Sequence, residues 1–125
     1  MYSLINGGAD VNRLSTIGHS ALSIAINSGA GTFVELLIKA NADVNQIHKT
    51  VVAQFGYNDG MTPLYFAVSM GELDIVKMLI PHGADVKFKT FYGTTAVYVA
   101  AEKGYVECLE LLIRHGADFN SGTFY

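Results

Sequence analysis

The segment Gly60–Lys87, GMTPLYFAVSMGELDIVKMLIPHGADVK, contains the signals for one complete structural unit. The hydroxyl of Thr62 can cap the start of a helix, and Pro63 then takes the first helical position, where its missing N–H group costs nothing. Gly71 can adopt the left-handed conformation that reverses the chain, and Gly83 can do the same further on. The segment therefore predicts two short helices, each ended by a glycine.

The apolar residues of this unit recur at helical spacing, and the second helix is the more apolar of the two. Glu72 and Asp74 place negative charge at its start, where the helix dipole favours it. Pro81 lies near its last turn, where a missing donor is tolerated, so this helix is expected to run for about ten residues. The apolar positions are Leu64, Ala67 and Val68 in the first helix, and Ile75, Val76, Met78, Leu79 and Ile80 in the second.

The end of this unit recurs along the chain. HGAD stands at His82–Asp85 and His115–Asp118, and the looser copies GGAD and ANAD stand at Gly7–Asp10 and Ala40–Asp43. The alanines of these motifs are separated by 33, 42 and 33 residues, so the middle interval is nine residues longer. A period of this length is typical of stacked repeats, in which each unit buries its apolar face against its neighbours.

Two further units follow the same template, which gives three helix pairs in all. The segment between the last two pairs, Val86–Gly93 (VKFKTFYG), is too short for another helix and is interpreted as an extended β-turn connector. The caps, reversal glycines and apolar second-helix positions of the two units are Ser20, Gly29, Phe33, Val34, Leu36, Leu37 and Ile38, and Thr95, Gly104, Cys108, Leu109, Leu111, Leu112 and Ile113.

The G-M-T-P-L opening at Gly60–Leu64 and the G-A-D-V close at Gly83–Val86, with their 33-residue period, resemble the ankyrin repeat. The resemblance implies an all-α ankyrin-repeat solenoid, built of stacked helix-turn-helix pairs with β-turn or hairpin connectors, one of them extended. It divides a single domain, residues 1–125, into a partial repeat (1–12), three full repeats (13–45, 57–89 and 90–120), a connector with the nine-residue insertion (46–56) and a C-terminal end (121–125).

The sequence departs from the family pattern in several places. The family usually has a histidine whose ring ties neighbouring turns together, and here Ser23, Tyr65 and Tyr98 stand in its place. Asn41 replaces a closing glycine, and asparagine is the next-best residue for a left-handed conformation. The first full repeat is expected to be the least stable, because the flexible pair Ala30–Gly31 stands where the other repeats begin a helix.

Composition and charge narrow the choice of partner. The chain has 125 residues, of which half are hydrophobic and 15% are charged, which is typical of a folded domain. Its net charge is −3, so a basic surface for nucleic acid is not expected. The single cysteine fits a reducing compartment, and no leader or apolar span is apparent. These features predict an intracellular protein, cytoplasmic or nuclear, without membrane insertion.

In the ankyrin family, the turn tips and the exposed side of each first helix line a concave face at which partners bind. The resemblance therefore implies a protein–protein interaction module whose partner is another protein, with no cofactor. The matching positions are Thr16, Ile17, His19, Asn27 and Ser28 in the first full repeat, Asn58, Asp59, Met61, Ser69 and Met70 in the second, and Phe91, Tyr92, Thr94, Glu102 and Lys103 in the third.

Four of these positions, Met61, Met70, Phe91 and Tyr92, are apolar or aromatic where a solvated turn is usually polar. Aromatic anchors are typical of binding hot spots. The alternative is that Phe91 and Tyr92 only pack on the neighbouring turn or cover the edge of the core.

The nine-residue insertion is the most individual feature of the chain. It lies within Gln46–Asn58, QIHKTVVAQFGYN, where Val51, Val52, Phe55 and Tyr57 favour strands. We expect an extended hairpin that grips a partner. The alternative is a loop that folds back on the stack and hides its own apolar groups.

Catalytic and metal chemistry has little support. His82 and His115 occupy equivalent positions of stacked units, roughly 10 Å apart, which is too far for both to bind one zinc ion. Cys108 falls on an apolar helix face, where burial raises the pKa of a thiol. No standard catalytic motif is present, so neither an enzyme nor a metal site is expected.

The polar residues that follow each helix stop are interpreted as structural. Asp10, Asp43, Asp85 and Asp118 are expected to bond the turn backbone, as are Asn12, Asn45 and Asn120. In the family such an asparagine can be hydroxylated, so a role as a hydroxylase substrate is an alternative for these three.

A different functional class also fits the sequence. The chain is then a structural internal segment of a longer ankyrin array, adaptor or effector, with no specific binding of its own. Met1–Asn6 supply only the end of a second helix, and neither terminal unit has the polar face that usually seals a repeat stack. Such a piece is expected to fray or self-associate through its uncapped ends.

Overall fold

Three helix pairs follow one another in the structure. The computed structural model describes residues 20–52, 57–90 and 93–117, and for residues 48–52 and 57–59 it describes the backbone only. The expectation of an all-α stack is confirmed. The pairs are α1 (Ala21–Asn27) with α2 (Gly31–Lys39), α3 (Pro63–Ser69) with α4 (Leu73–Leu79), and α5 (Ala96–Lys103) with α6 (Val106–Arg114).

Each first helix begins at the predicted hydroxyl cap. Thr62 accepts a hydrogen bond from the backbone N–H of Tyr65, and Thr95 accepts one from the N–H of Tyr98. Ser20 forms a capping box, because its hydroxyl and that of Ser23 each accept from the other residue's backbone N–H. The shared cap position thus sets the start of α1, α3 and α5.

The chain reverses at residues with positive φ. The turns between paired helices contain Gly29, Gly71 and Gly104, with φ of 68°, 71° and 75°. After α2 the left-handed residue is Asn41, with φ of 66°, as the substitution for glycine predicted.

The second helices differ in how they end. Both α2 and α6 run for nine α-helical residues, but α4 runs for seven and continues as a three-residue 3-10 turn, Ile80–His82. Pro81 lies in that turn and has no N–H group to donate to the preceding turn of an α-helix. The expected ten-residue helix is therefore correct in length, but its last three residues are wound more tightly.

The inserted connector forms an antiparallel hairpin of β1 (His48–Val52) and β2 (Tyr57–Met61), in which His48 pairs with Met61 and Val52 with Tyr57. The second strand ends three residues beyond the predicted segment. A Cβ on Gly60 would lie 2.5 Å from the Ile47 Cγ2 atom, so a larger residue at the base of the hairpin would displace the Ile47 side chain. In the described part of the next connector, pairing is reduced to one bridge, between Lys89 and Thr95.

The core runs without interruption through the stack. The first helices pack in one row, α1 on α3 on α5, and the second helices pack in another, α2 on α4 on α6. Each repeat contributes apolar side chains at equivalent positions. The largest of those with almost no exposure are Leu22, Ile26, Val34, Leu37, Leu64, Val68, Val76, Leu79 and Leu112.

Two residues of the predicted apolar faces are exposed instead. Phe33 in α2 is 45% exposed and Ile113 in α6 is 41% exposed, whereas their counterparts in the middle pair, Ile75 and Ile80, are buried. The middle pair has a helix pair on both sides, and the outer pairs have one described neighbour each. The repeat pattern alone therefore overestimates burial at the two ends of the described stack.

Candidate functional site

The predicted binding residues fall into three groups in the structure. Those of the first group, Thr16, Ile17, His19, Phe55, Phe91 and Tyr92, lie outside the described residues. For the second group, Val51, Val52, Tyr57, Asn58 and Asp59, the structure describes the backbone and places it in the hairpin. The third group consists of the eight residues on or near the first helices, namely Asn27, Ser28, Met61, Ser69, Met70, Thr94, Glu102 and Lys103.

Five of those eight side chains are exposed at the ends of first helices. Asn27 and Ser28 close α1, Met70 closes α3 and is 39% exposed, and Glu102 and Lys103 close α5. Successive helix ends therefore present a row of accessible side chains, in which Met70 is the apolar member.

Sequence reasoning missed one exposed apolar residue beside this row. Ile24 in α1 is 48% exposed. It precedes Asn27 and Ser28 by three and four residues, and such neighbours share one face of a helix. The sequence signal for Ile24 was therefore its spacing of three and four residues from the predicted contact residues Asn27 and Ser28.

The other three predicted residues are only half-buried, and each also has a structural contact. Met61 packs against the hydrophobic core. The hydroxyl of Ser69 donates to the carbonyl of Phe66 at 2.7 Å, and the Ser69 carbonyl accepts from Lys103 Nζ at 2.7 Å. Thr94 belongs to the hydroxyl network described next.

Tyr65 links the second repeat to the third. Its hydroxyl lies 2.9 Å from Thr94 Oγ1, which in turn lies 2.6 Å from Thr90 Oγ1. Its ring also meets the Phe88 ring edge to face, with centroids 6.3 Å apart. A tyrosine thus ties neighbouring turns where the family commonly uses histidine, whereas the bonds of Ser23 among the described residues lie within its own cap.

Asn45 links the first repeat to the second. Its amide nitrogen donates to the Gly83 carbonyl at 2.9 Å, and its amide oxygen accepts from the Asp85 N–H at 2.7 Å. Asp43 and Asp85 each accept from the backbone two residues later, at 2.9 and 2.8 Å. The predicted turn-bonding role is confirmed for these three residues.

An open cleft of about 700 Å³ lies between the first and second repeats, where α2 and α4 begin. We call the contact between these repeats the first seam. Glu72, Asp74 and Glu35 bring three carboxylates to the cleft. The remaining lining residues are Gly29, Gly31, Thr32, Gly71, Leu73, Ile75 and Met78, so the described lining contains no lysine, arginine or histidine.

Glu72 is the N-cap residue of α4, but its side chain points toward the preceding repeat. Its side chain makes no capping hydrogen bond, and Oε1 lies 3.4 Å from where a Cβ on Gly29 would be. Its other oxygen, Oε2, has almost no accessible surface and no hydrogen-bond partner among the residues that the structure describes. Burial raises the pKa of this carboxyl group above its usual range.

The contact between the second and third repeats, the second seam, is closed at the equivalent place. Tyr105 occupies the position of Glu72, and its ring lies over Gly71. A Cβ on Gly71 would lie 2.9 Å from the Tyr105 Cζ atom. Two equivalent positions thus hold a carboxylate with an unpartnered oxygen in one seam and an aromatic ring in the other.

The groups considered for metal or thiol chemistry have ordinary surroundings. His82 Nδ1 donates to the Met78 carbonyl at 2.9 Å. Cys108 is buried, and burial together with the charge of Glu107 raises the pKa of its thiol, as expected. The described part of the chain contains no group of three metal-binding side chains, and none of its helices has the length and apolarity needed to cross a membrane.

Comparison with known sequences identifies the family to which these repeats belong. A profile for "Ankyrin repeats (3 copies)" matches residues 46–123, and one for "Ankyrin repeat" matches residues 17–49. The chain belongs to the ankyrin-repeat family. The resemblance noted from the sequence is thereby confirmed, and proteins of this family generally bind other proteins.

Relatives come from animals and from a virus. The chain is 30% identical over 92 residues to the mouse B-cell lymphoma 3 protein homolog, and the match covers 74% of the chain and 19% of that protein. It is 34% identical over 88 residues to a putative ankyrin repeat protein of fowlpox virus, and this match covers 69% of the chain and 23% of that protein. Mouse protein phosphatase 1 regulatory subunit 27 is 41% identical to the chain over 68 residues, and this match covers 54% of the chain and 38% of that protein. The chain thus spans about a fifth of the length of the first two relatives.

Proposed function

We propose that this ankyrin-repeat chain binds a partner protein through its first-helix ends, its turn tips and the extended hairpin, and that it does not catalyse a reaction. The main support is the row of exposed residues at successive first-helix ends, with Met70 and the nearby Ile24 as apolar members. Apolar side chains at such a surface supply most of the binding energy when a partner covers them.

The hairpin extends the same proposal. The connector between α2 and α3 has five paired positions, while the described part of the next connector has one bridge. Long surface connectors often take part in recognition. The predicted contact residues Val51, Val52, Phe55 and Tyr57 belong to this connector, and those of the third-repeat turn, Phe91 and Tyr92, remain predictions too.

The relatives fit a binding role. One relative is named as a regulatory subunit of a phosphatase. A role in the cytoplasm or nucleus and the division of the chain into one domain of three full repeats remain part of this proposal. A structural segment of a longer array, with self-association through its ends, is the competing proposal.

Affinity capture with mass spectrometry is the first experiment, with the intact chain as bait. A double variant, Ile24→Ser with Met70→Ser, removes the two exposed apolar side chains, and Val106→Ser is the matched control, because Val106 is 60% exposed on the last second helix. We expect the double variant to weaken binding of the captured protein at least about tenfold, with an unchanged circular dichroism spectrum. Equal affinity for the double variant and the control would contradict the proposed face.

The hairpin needs its own comparison. A chain without Lys49–Tyr57 has a connector close to the family length, so its helix pairs should still stack. We expect it to bind the captured protein more weakly. Sedimentation of the intact chain distinguishes the competing proposal, which predicts concentration-dependent association with no specific partner.

A further inference from the structure

We propose that the carboxyl group of Glu72 is a proton-dependent latch at the first seam, which lets the first and second repeats close together when protonated and lets the seam open when ionised. This inference is independent of any partner. It concerns how firmly the first repeat is held on the rest of the stack.

The geometry leaves the ionised group without compensation. Oε2 of Glu72 is shielded from water and has no hydrogen-bond partner, while Oε1 faces the Gly29 turn of the preceding repeat. A buried carboxylate without a partner is unfavourable, and it loses that penalty either by taking up a proton or by moving into water. At this seam, moving into water means that the Glu72 side chain leaves its contact with the Gly29 turn of the preceding repeat.

Charged groups on the neighbouring elements do not offset this. On α2, Glu35 lines the cleft, and Lys39 is paired with Glu35 at 3.2 Å. On α4, Asp74 lines the cleft, whereas Lys77 lines a separate groove together with Lys39 and His82.

The described part of the third repeat also supplies no cation to the cleft. Tyr105 covers Gly71 beside it, and neither Glu107 nor Lys103 lines it. Among the described residues, the charged side chains that line the cleft with Glu72 are the carboxylates of Glu35 and Asp74, and no lysine, arginine or histidine lines it.

The sign of the pH dependence follows from the direction of the shift. Burial raises the pKa of Glu72 in the folded chain, so the folded chain binds this proton more tightly than the unfolded chain. The stability that this proton contributes is fully present below the pKa of a glutamate in the unfolded chain, about 4.3. It is lost as the pH rises through the raised pKa of Glu72 in the folded chain. The helix dipole favours negative charge at the start of α4, so it opposes part of this effect.

Thermal unfolding of wild type and Glu72→Gln between pH 4.5 and pH 7.5 tests the latch. Glutamine has the shape of the protonated acid, so we expect it to melt about 2–4 °C higher than wild type at pH 7.5 and within about 1 °C of it at pH 4.5. Because both proteins share every other titrating group, the difference between them isolates Glu72.

Asp74→Asn is the matched control, since Asp74 lines the same cleft but is exposed in the first turn of α4. It removes a charge that the helix dipole favours, so it should lower the melting temperature at pH 7.5. The latch would be overturned if Glu72→Gln and wild type had the same melting temperature at pH 7.5, or if their melting temperatures differed equally at both pH values.

Hydrogen exchange at pH 7.5 locates the effect. The Val34 N–H bonds to the Ala30 carbonyl and the Val76 N–H to the Glu72 carbonyl, so both report on the first seam. We expect Glu72→Gln to slow their exchange about threefold or more while the Leu109 amide, bonded to the Tyr105 carbonyl, changes less. Slowing of equal size at all three amides would show general stabilisation and would also overturn the latch.

Discussion

The two seams of this stack are built from the same template and close differently. In the second seam, Tyr105 covers Gly71, Tyr65 reaches Thr94, and Lys103 donates to the Ser69 carbonyl. In the first seam, the position of Tyr105 is held by Glu72, and a cleft remains between the helix pairs.

One position in the turn between paired helices accounts for much of this difference. An aromatic ring fills the space above the preceding glycine, whereas a carboxyl group leaves polar surface that water must solvate. Repeats that share a backbone can thus differ in how firmly they hold each other. Substitutions at matched positions of the two seams test this difference.

The largest expected effect comes from the turn glycines. Gly71→Ala adds a methyl group 2.9 Å from the Tyr105 ring and forces alanine to a φ of 71°, so we expect a loss of about 2–4 kcal/mol in the free energy of unfolding. Gly29→Ala has nearly the same φ but meets only Glu72 Oε1, at 3.4 Å, so it should lose about 1–2 kcal/mol. Urea unfolding of both variants measures the difference, and equal losses would mean that the second seam is not the tighter one.

A smaller effect is expected at the tie that the first seam does have. Asn45→Ala removes one donor and one acceptor that bridge to Gly83 and Asp85, at a cost of about 1–2 kcal/mol. Asn45→Asp keeps the acceptor for the Asp85 N–H but sets a carboxylate oxygen against the Gly83 carbonyl, so it should lose at least as much as alanine. If Asn45→Ala unfolds at the same urea concentration as wild type, the amide bridge does not hold the first seam.

The smallest effect is expected at the hydroxyl tie of the second seam. Tyr65→Phe keeps the ring against Phe88 and removes only the hydroxyl near Thr94, so we expect a loss of about 0.5–1.5 kcal/mol. A double-mutant cycle with Thr94→Val should give a coupling energy of about 0.5–1 kcal/mol. A coupling energy of zero would assign the role of Tyr65 to ring packing alone.

The sequence predicted the helix starts and the turns because both depend on local chemistry. A hydroxyl such as Thr62 before Pro63 bonds its own neighbours, and a residue with positive φ such as Asn41 acts within one turn. The same holds for the hairpin, whose strand residues are adjacent in the chain. Such features need no knowledge of the neighbouring repeat.

Contacts between repeats were much harder to predict. The direction of the Glu72 side chain, the reach of Tyr65 to Thr94 and the exposure of Phe33 all depend on which residue of another repeat lies opposite. The periodic pattern treats every repeat as an interior one, and it places residues on a face without their orientation. The choice of contact residues on the binding face remains a prediction for the same reason.

The hairpin between α2 and α3 shows where this architecture accepts additional length. The helix that follows it starts with the same hydroxyl cap as α1 and α5, and its row of first helices is continuous across the insertion. Extra residues leave the spacing of the stack unchanged when they enter at a surface connector. This connector is thus a natural site for grafting a fluorophore, an epitope or a new recognition sequence without redesigning the scaffold.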